Sequence, residues 1–265
     1  MAGMKPGTKA VVAGGTGSLG AEACRQLAAA GFETVSLSRH PPGTPLPGVE
    51  HRTGDLRTGA GLDEALAGAH LVIDAANAVK SPGGVLIEGT AGLIEKSRQA
   101  GVGHYIGVSI LGCENVNFGY YRAKVAQEAV VREAAIGWSL IKATQFHELL
   151  ASAFEALAKY RISPRGSIPL QPTDAAVVVR RLVEIAEVGP VNRSEHVGGP
   201  EISDLSTLAK QWQEKSGRGC LAMPVPVAGK TGRALRAGGL TDPAAATPGP
   251  TFAEWLESGP STAPA

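Results

Sequence analysis

A parallel, doubly wound α/β sheet is predicted by three features of this 265-residue sequence. Short β-branched runs alternate with longer alanine-rich stretches through residues 1–145. A glycine-rich turn follows the first of those runs directly. After Thr144 the rhythm loosens and becomes richer in Pro and Gly, as expected of a small, irregular lobe closing over the carboxyl edge of the sheet.

The elements follow in order. Lys9–Ala13 (KAVVA) reads as a strand buried on both faces, and Ser18–Ala30 as a helix with Leu19, Ala23, Leu27 and Ala30 along one face. Gly31 supplies a left-handed cap. Thr34–Leu37 is a second strand, and the Pro/Gly loop HPPGTPLPG, unable to be helix or central strand, leads to a third at Glu50–Thr53. Helix Leu62–Ala67, strand His70–Ala75 and a long helix Val85–Ala100 come next. Strand His104–Ser109, helix Tyr120–Ala134 and strand Trp138–Lys142 complete the regular part. Beyond it the pattern predicts helix Glu148–Lys159, strand Gly166–Leu170, helix Asp174–Val188, strand Ser194–Val197, helix Leu205–Ser216 and a last helix around Phe252–Leu256. One domain is expected over 1–265, with 1–145 as its core and 146–265 mostly the lobe facing a substrate.

Composition narrows the function classes. With 43% hydrophobic and 18% charged residues the chain reads as globular, and its net charge of +1 gives no field to draw it to nucleic acid or an anionic membrane. No apolar run approaches the roughly 18 residues of a membrane span, and the N-terminal run leads into the glycine turn rather than a cleavage site. Cys24, Cys113 and Cys220 are far apart and lack metal-ligand spacing, so reduced thiols in a cytoplasmic protein without a metal are expected. The Ala/Gly/Pro-rich makeup suggests a bacterial source of high GC content.

The turn itself is Gly14-Gly15-Thr16-Gly17-Ser18-Leu19-Gly20, a G-x-x-G-x-x-G pattern between strand and helix. Gly14 permits the tight turn, Gly17 lets backbone approach a pyrophosphate, and Gly20 allows close helix–sheet packing, which defines a Rossmann-type fold. Phosphates are expected at the helix N-terminus, where N–H groups and the helix dipole favour anions. The second strand ends in Ser38-Arg39 with no carboxylate to accept from a ribose 2′-OH. Arg39 instead offers a planar donor set for a 2′-phosphate, so NADP(H) is expected rather than NAD. After the third strand, Asp55 and Leu56 lie in a Gly-Asp-Leu segment, with Asp55 either against the adenine amine or capping a turn. After the fourth, the small residues Ala75 and Ala76, with Asn77, leave room beneath a cofactor.

GGTGSLG, SR, GDL and YYRAKVAQE, with the later IKATQFHE and HVGGPEISDLSTLAKQW, together resemble the NmrA-like, NAD(P)-binding branch of the atypical short-chain dehydrogenase/reductases. The likeness runs to about Trp255. It implies a nicotinamide-cofactor fold but not one reaction, because that branch holds quinone and flavin reductases, epimerase relatives and sensors without chemistry.

Tyr120 and Lys124 carry the Y-x-x-x-K spacing, which places both on one helix face. A nearby ammonium favours the phenolate, which suits proton exchange with a carbonyl or alcohol. Ser109 ends the fifth strand at the edge where such sheets bind ligands. By the resemblance, Ser109 is a polariser, Tyr120 a general acid and Lys124 a ribose anchor, with Tyr120 as a packing aromatic the other reading. Gln145 and Phe146, after the sixth strand, are expected to line the nicotinamide pocket, with His147 either facing substrate or structural. Trp138, Trp212 and Trp255 are expected to pack.

Three functions stand open at this point: an NADPH-dependent reductase of a carbonyl, enone or quinone, a non-catalytic NADP(H) sensor, and an epimerase or isomerase using its cofactor transiently. The expected partner is a fairly apolar small-molecule substrate. Helices Val85–Ala100 and Tyr120–Ala134 would pair subunits in a homodimer, with a monomer as the alternative.

Overall fold

The structure is a computed structural model and describes residues 6–79 and 81–258. Strand β1 (Lys9–Ala13) leads through the glycine turn into α1 (Ser18–Ala29), followed by β2 (Glu33–Ser38), β3 (Val49–Thr53), α2 (Leu62–Leu66) and β4 (Leu71–Asp74). Then come α3 (Gly83–Leu86), α4 (Glu88–Gln99), β5 (His104–Ile110), α5 (Gly119–Arg132) and β6 (Gly137–Ala143). The remainder holds α6 (His147–Ala158), β7 (Ile162–Arg165), β8 (Pro169–Leu170), α7 (Ala175–Val188) and β9 (Ser194–Val197). It ends with β10 (Ser203–Asp204), α8 (Leu205–Ser216), β11 (Leu221–Pro224), α9 (Gly229–Arg236) and α10 (Phe252–Ser258).

Seven strands form one sheet in the order β3-β2-β1-β4-β5-β6-β9, the first six in the doubly wound Rossmann order. The pairings of β1 with β2 and β4, of β2 with β3 and of β4 with β5 are parallel, with Val11 opposite both Val35 and Val72. The order reverses between β1 and β4, the switch point outside which such sheets bind ligands. As expected for strands covered by helices, Ala10–Ala13 and Leu71–Ile73 are fully buried.

The chain divides into two compact units. The first comprises Met1–Ser109, Arg122–Lys142 and Val179–Glu195, and the second Ile110–Tyr121, Ala143–Val178 and His196–Ala265. The first unit's core gathers Val11, Val35, Leu37, Leu66, Val72, Leu93, Tyr105 and Leu140, with Trp138 packed at its edge. Each buried aliphatic of this kind contributes about 1.5–3 kcal/mol. The second unit's core is more aromatic. Phe252 stacks on Trp255 at 6.0 Å, meets Phe154 edge-on at 6.2 Å, and Leu150, Ile168, Leu170 and Leu208 fill in around them, with Trp212 alongside. A reciprocal cap starts α10: Thr251 N donates to Glu254 Oε2 (2.8 Å) and Glu254 N to Thr251 Oγ1 (3.2 Å).

Two expected elements differ. The helix expected over Val85–Ala100 begins at Gly83 and breaks at Ile87 (φ −108°, ψ −66°) into α3 and α4. Close packing accompanies the break: an added Cβ on Gly89 would lie 3.0 Å from that of Leu56. The strand expected over Gly166–Leu170 shrinks to β8, a two-residue partner of β10. The longer strand there is β7, paired in parallel with β11 from Ile162↔Leu221 to Arg165↔Pro224. Both carry proline and lack alternation, so a distant pairing rather than local pattern makes them strands.

Candidate functional site

The glycine turn is built by close approach. Gly14 has φ +75°, and a Cβ there would sit 2.8 Å from the backbone of Ala76 on the β4 side of the switch point. Its N–H donates to Leu37 O at 2.9 Å, tying the turn to β2. A Cβ on Gly20 would strike Gly14 O at 2.1 Å, so α1 packs against the loop only as glycine. Gly17 differs: only Gly14 O, at 3.3 Å, would lie near its Cβ. Thr16, Gly17 and Ser18 are exposed, whereas Leu19 is buried and presents only backbone. Gly17 is the N-cap of α1 and brings no side chain to the first-turn N–H groups, which have no intrahelical acceptor. No acidic residue stands in that turn. The cradle therefore fits the diphosphate of a dinucleotide.

Beyond the ends of β2 and β3 lies an open cleft of about 420 Å³, lined by Arg39, His40, Thr53, Asp55 and Gly61 among others. Arg39 and His40 are exposed, and Ser38 Oγ donates to His40 O at 2.6 Å, fixing the turn that presents them. Asp55 Oδ1 accepts from Arg57 N at 2.8 Å, so the turn role is observed while the residue also lines the cleft. Leu56 packs against the first core. Ala75 N donates to Ala13 O at 3.0 Å, holding the Ala75–Asn77 segment beside the glycine turn.

Behind this face, polar side chains are buried and bonded to one another. Lys124, 4% exposed, donates to Val108 O and Gln127 Oε1, each at 2.9 Å. Gln127 Nε2 donates to Asp74 Oδ2 (3.2 Å) and Thr90 Oγ1 (3.0 Å). Asp74 Oδ2 also accepts from Thr90 Oγ1 (2.9 Å) and the Tyr105 hydroxyl (2.8 Å), while Oδ1 accepts from Ala76 N (3.1 Å). Burial first, then the charge and hydrogen bond of Asp74, raise the Tyr105 pKa well above 10, so that hydroxyl stays a donor. Neither Asp74 nor Gln127 was among the residues predicted from sequence. A carboxylate ending an apolar strand must find donors if buried, and a glutamine three positions from Lys124 shares its helix face, but neither fact alone shows that the two residues meet.

Ser109 is buried and donates its one hydroxyl hydrogen to Glu128 Oε1 at 2.6 Å. Polarising a substrate carbonyl would require that bond to break. Glu128 also meets Lys142 at 3.1 Å and Arg132 at 2.7 Å. Burial alone would raise its pKa, but the Ser109 hydrogen bond, the Lys142 charge and the bonds from Arg132 and Lys142 outweigh it and lower it.

In the second unit Tyr120 is half-buried, its ring 5.6 Å from that of Tyr121, which in turn meets Phe118 at 6.3 Å. Helix α5 continues through both Tyr120 and Lys124, one turn apart. Gln145 is occupied structurally: Oε1 accepts from Gln171 N (3.1 Å) and Nε2 donates to Leu240 O (3.2 Å). Phe146 bridges to Thr173. His147 is packed into the second unit's core. It is fully buried, its Nε2 donates to Pro250 O at 3.1 Å, and its ring lies 5.5 Å from Trp255. Desolvation lowers its pKa, so it stays neutral. No helix among the described residues is long and apolar enough to cross a membrane.

Residues 14–182 match the family model described as NAD(P)H-binding. No curated protein matches the chain. Among solved structures, an NADPH-dependent quinone oxidoreductase from Escherichia coli, complexed with NADPH, is 16% identical, with 94% of this chain and 99% of that one covered at a TM-score of 0.75. A nucleoside-diphosphate-sugar epimerase from Staphylococcus aureus is 17% identical, covering 94% and 100% at 0.75. The epimerase Mth375 from Methanothermobacter thermautotrophicus is 16% identical, covering 95% and 90% at 0.77.

Proposed function

The chain belongs to the NAD(P)H-binding family, as an atypical short-chain dehydrogenase/reductase-type protein, and on that basis we propose that it is an NADPH-dependent reductase of a carbonyl, enone or quinone. The observation that supports the cofactor choice is Arg39, exposed in the cleft directly after β2, a strand that ends in Ser38 rather than a carboxylate, while Asp55 across the cleft accepts from Arg57 N. Its guanidinium suits a 2′-phosphate, which an acid there would repel. The glycine turn holds the diphosphate on backbone N–H groups, with the Ala75–Ala76 backbone packed directly against Gly14. When bound, the reduced nicotinamide supplies the hydride. Lys124 anchors the nicotinamide ribose, and Tyr120, one turn before it on α5, gives the proton to the oxygen of a modest-sized, fairly apolar substrate. Ser109 is left out of the proton path because Glu128 takes its hydrogen.

That same commitment of Ser109 supports a second reading, an NADP(H)-binding sensor without turnover. NADPH oxidation over a panel of quinones and carbonyls, with wild type and Tyr120→Phe, separates the readings. The reductase reading expects turnover that falls at least a hundredfold in Tyr120→Phe while NADPH affinity holds. Binding with no oxidation of NADPH by any acceptor would favour the sensor, and net-neutral isomerisation of a sugar nucleotide would favour an epimerase.

A further inference from the structure

The chain of buried polar groups behind Lys124 has no part in the chemistry proposed above, yet it ends on the one lysine that chemistry needs. We propose that Gln127 and Asp74 are positioning residues that set where Lys124 presents its ammonium, an inference resting on the reading of Lys124 as the ribose anchor.

The argument starts from the two unlike ends of an amide. Gln127 gives its Nε2 hydrogens to Asp74 Oδ2 and Thr90 Oγ1, so its Oε1 faces Lys124 Nζ. Turning the amide over would set oxygen against carboxylate and N–H against ammonium, two repulsive contacts at a site where all three side chains are at most 4% exposed. Asp74 is itself immobilised, because Tyr105, Thr90 and Ala76 N bond it together with Gln127. The carboxylate thus fixes the amide, and the amide fixes the ammonium.

Val108 O, one residue from Ser109 on β5, takes another Nζ hydrogen. Two Nζ hydrogens are thus directed at fixed acceptors, which stops rotation about the terminal bond of Lys124 and holds its ammonium in one place. A flexible lysine stem is thereby ordered on folding rather than on ligand binding, which favours affinity. Asp74 acts on Lys124 only through Gln127.

The test is a double-mutant cycle on NADPH affinity, read by fluorescence titration, with thermal unfolding recorded for every variant. Lys124→Met and Gln127→Met are each expected to weaken NADPH roughly tenfold, and the pair to weaken it no further. Asp74→Asn, nearly isosteric, covers the case in which Gln127→Met fails to fold. It is expected to weaken binding about threefold with Lys124 present and to have no effect in the Lys124→Met background. Ser97→Ala, which removes a buried hydroxyl bonded only to Leu93 O, controls for general destabilisation and is expected to leave affinity unchanged. Factors that multiply, near a hundredfold for the pair, would overturn the inference and leave Lys124 as anchor. An unchanged affinity in Lys124→Met would instead remove the anchor reading, and the inference with it.

Discussion

The buried carboxylates, lysines and glutamine of the first unit bond other side chains, whereas the buried polar side chains of the second bond main chain. Asp74, Thr90, Tyr105, Gln127 and Lys124 form one side-chain network in the first unit, and Ser109, Glu128 and Lys142 another. In the second, Gln171 takes Asp242 N and gives to Gly199 O, Thr144 Oγ1 takes Gly199 N, and His147 gives to Pro250 O. The difference follows from the backbone. A parallel ladder satisfies the first unit's peptide groups and leaves side chains to be arranged as a site. Irregular connections leave peptide groups that only side chains can meet.

The largest test of this contrast is Glu128→Ala. It strips a carboxylate from the buried Lys142 pair and from Ser109, and is expected to cost about 3–5 kcal/mol in urea unfolding. In that background Ser109→Ala is expected to add almost nothing, because both changes break one network. Additive losses would put the first unit on the same footing as the second.

Acid gives a somewhat smaller effect. Desolvation pushes the pKa of His104, bonded at 2.8 Å to Ser139 Oγ, down to about 4. An unfolded histidine titrates near about 6.5, so between these values the unfolded chain binds a proton the folded one refuses. Stability is therefore full above pH 6.5 and falls on acidification towards pH 4, by about 3 kcal/mol from this group. His147 acts in the same direction. His104→Gln is expected to flatten the decline between pH 6.5 and 5, and a slope identical to wild type would contradict the neutral, buried assignment.

Gln171→Ala is expected to cost about 2 kcal/mol, from the unmet Gly199 and Asp242 groups, with NADPH affinity unchanged. A loss of affinity would mean that the second unit's staples also shape the cofactor site.

The contrast also explains what could be read from the chain. β1, β9 and α8 lie where periodicity puts them, and the glycine turn reads directly because each glycine answers a backbone need. The sequence leaves His147 open between a structural role and one facing substrate, since it does not show Phe252 and Trp255 closing over it from about a hundred residues away. β7 and β11 were hidden for the same reason, as their partners are remote and their prolines argue against strands. Asp74 and Gln127 were hidden differently. Each is one polar residue in an otherwise ordinary strand or helix, and only the arrangement that brings them to Lys124 gives them meaning.

The most direct test of the account is calorimetric titration of the purified protein with NADPH and with NADH, repeated on Arg39→Ala. The account predicts NADPH at least about tenfold tighter, near 1.4 kcal/mol, with that preference lost in the variant. Equal affinities in the wild type would contradict Arg39 as the reader of the 2′-phosphate, and no binding of either would contradict the cofactor site itself.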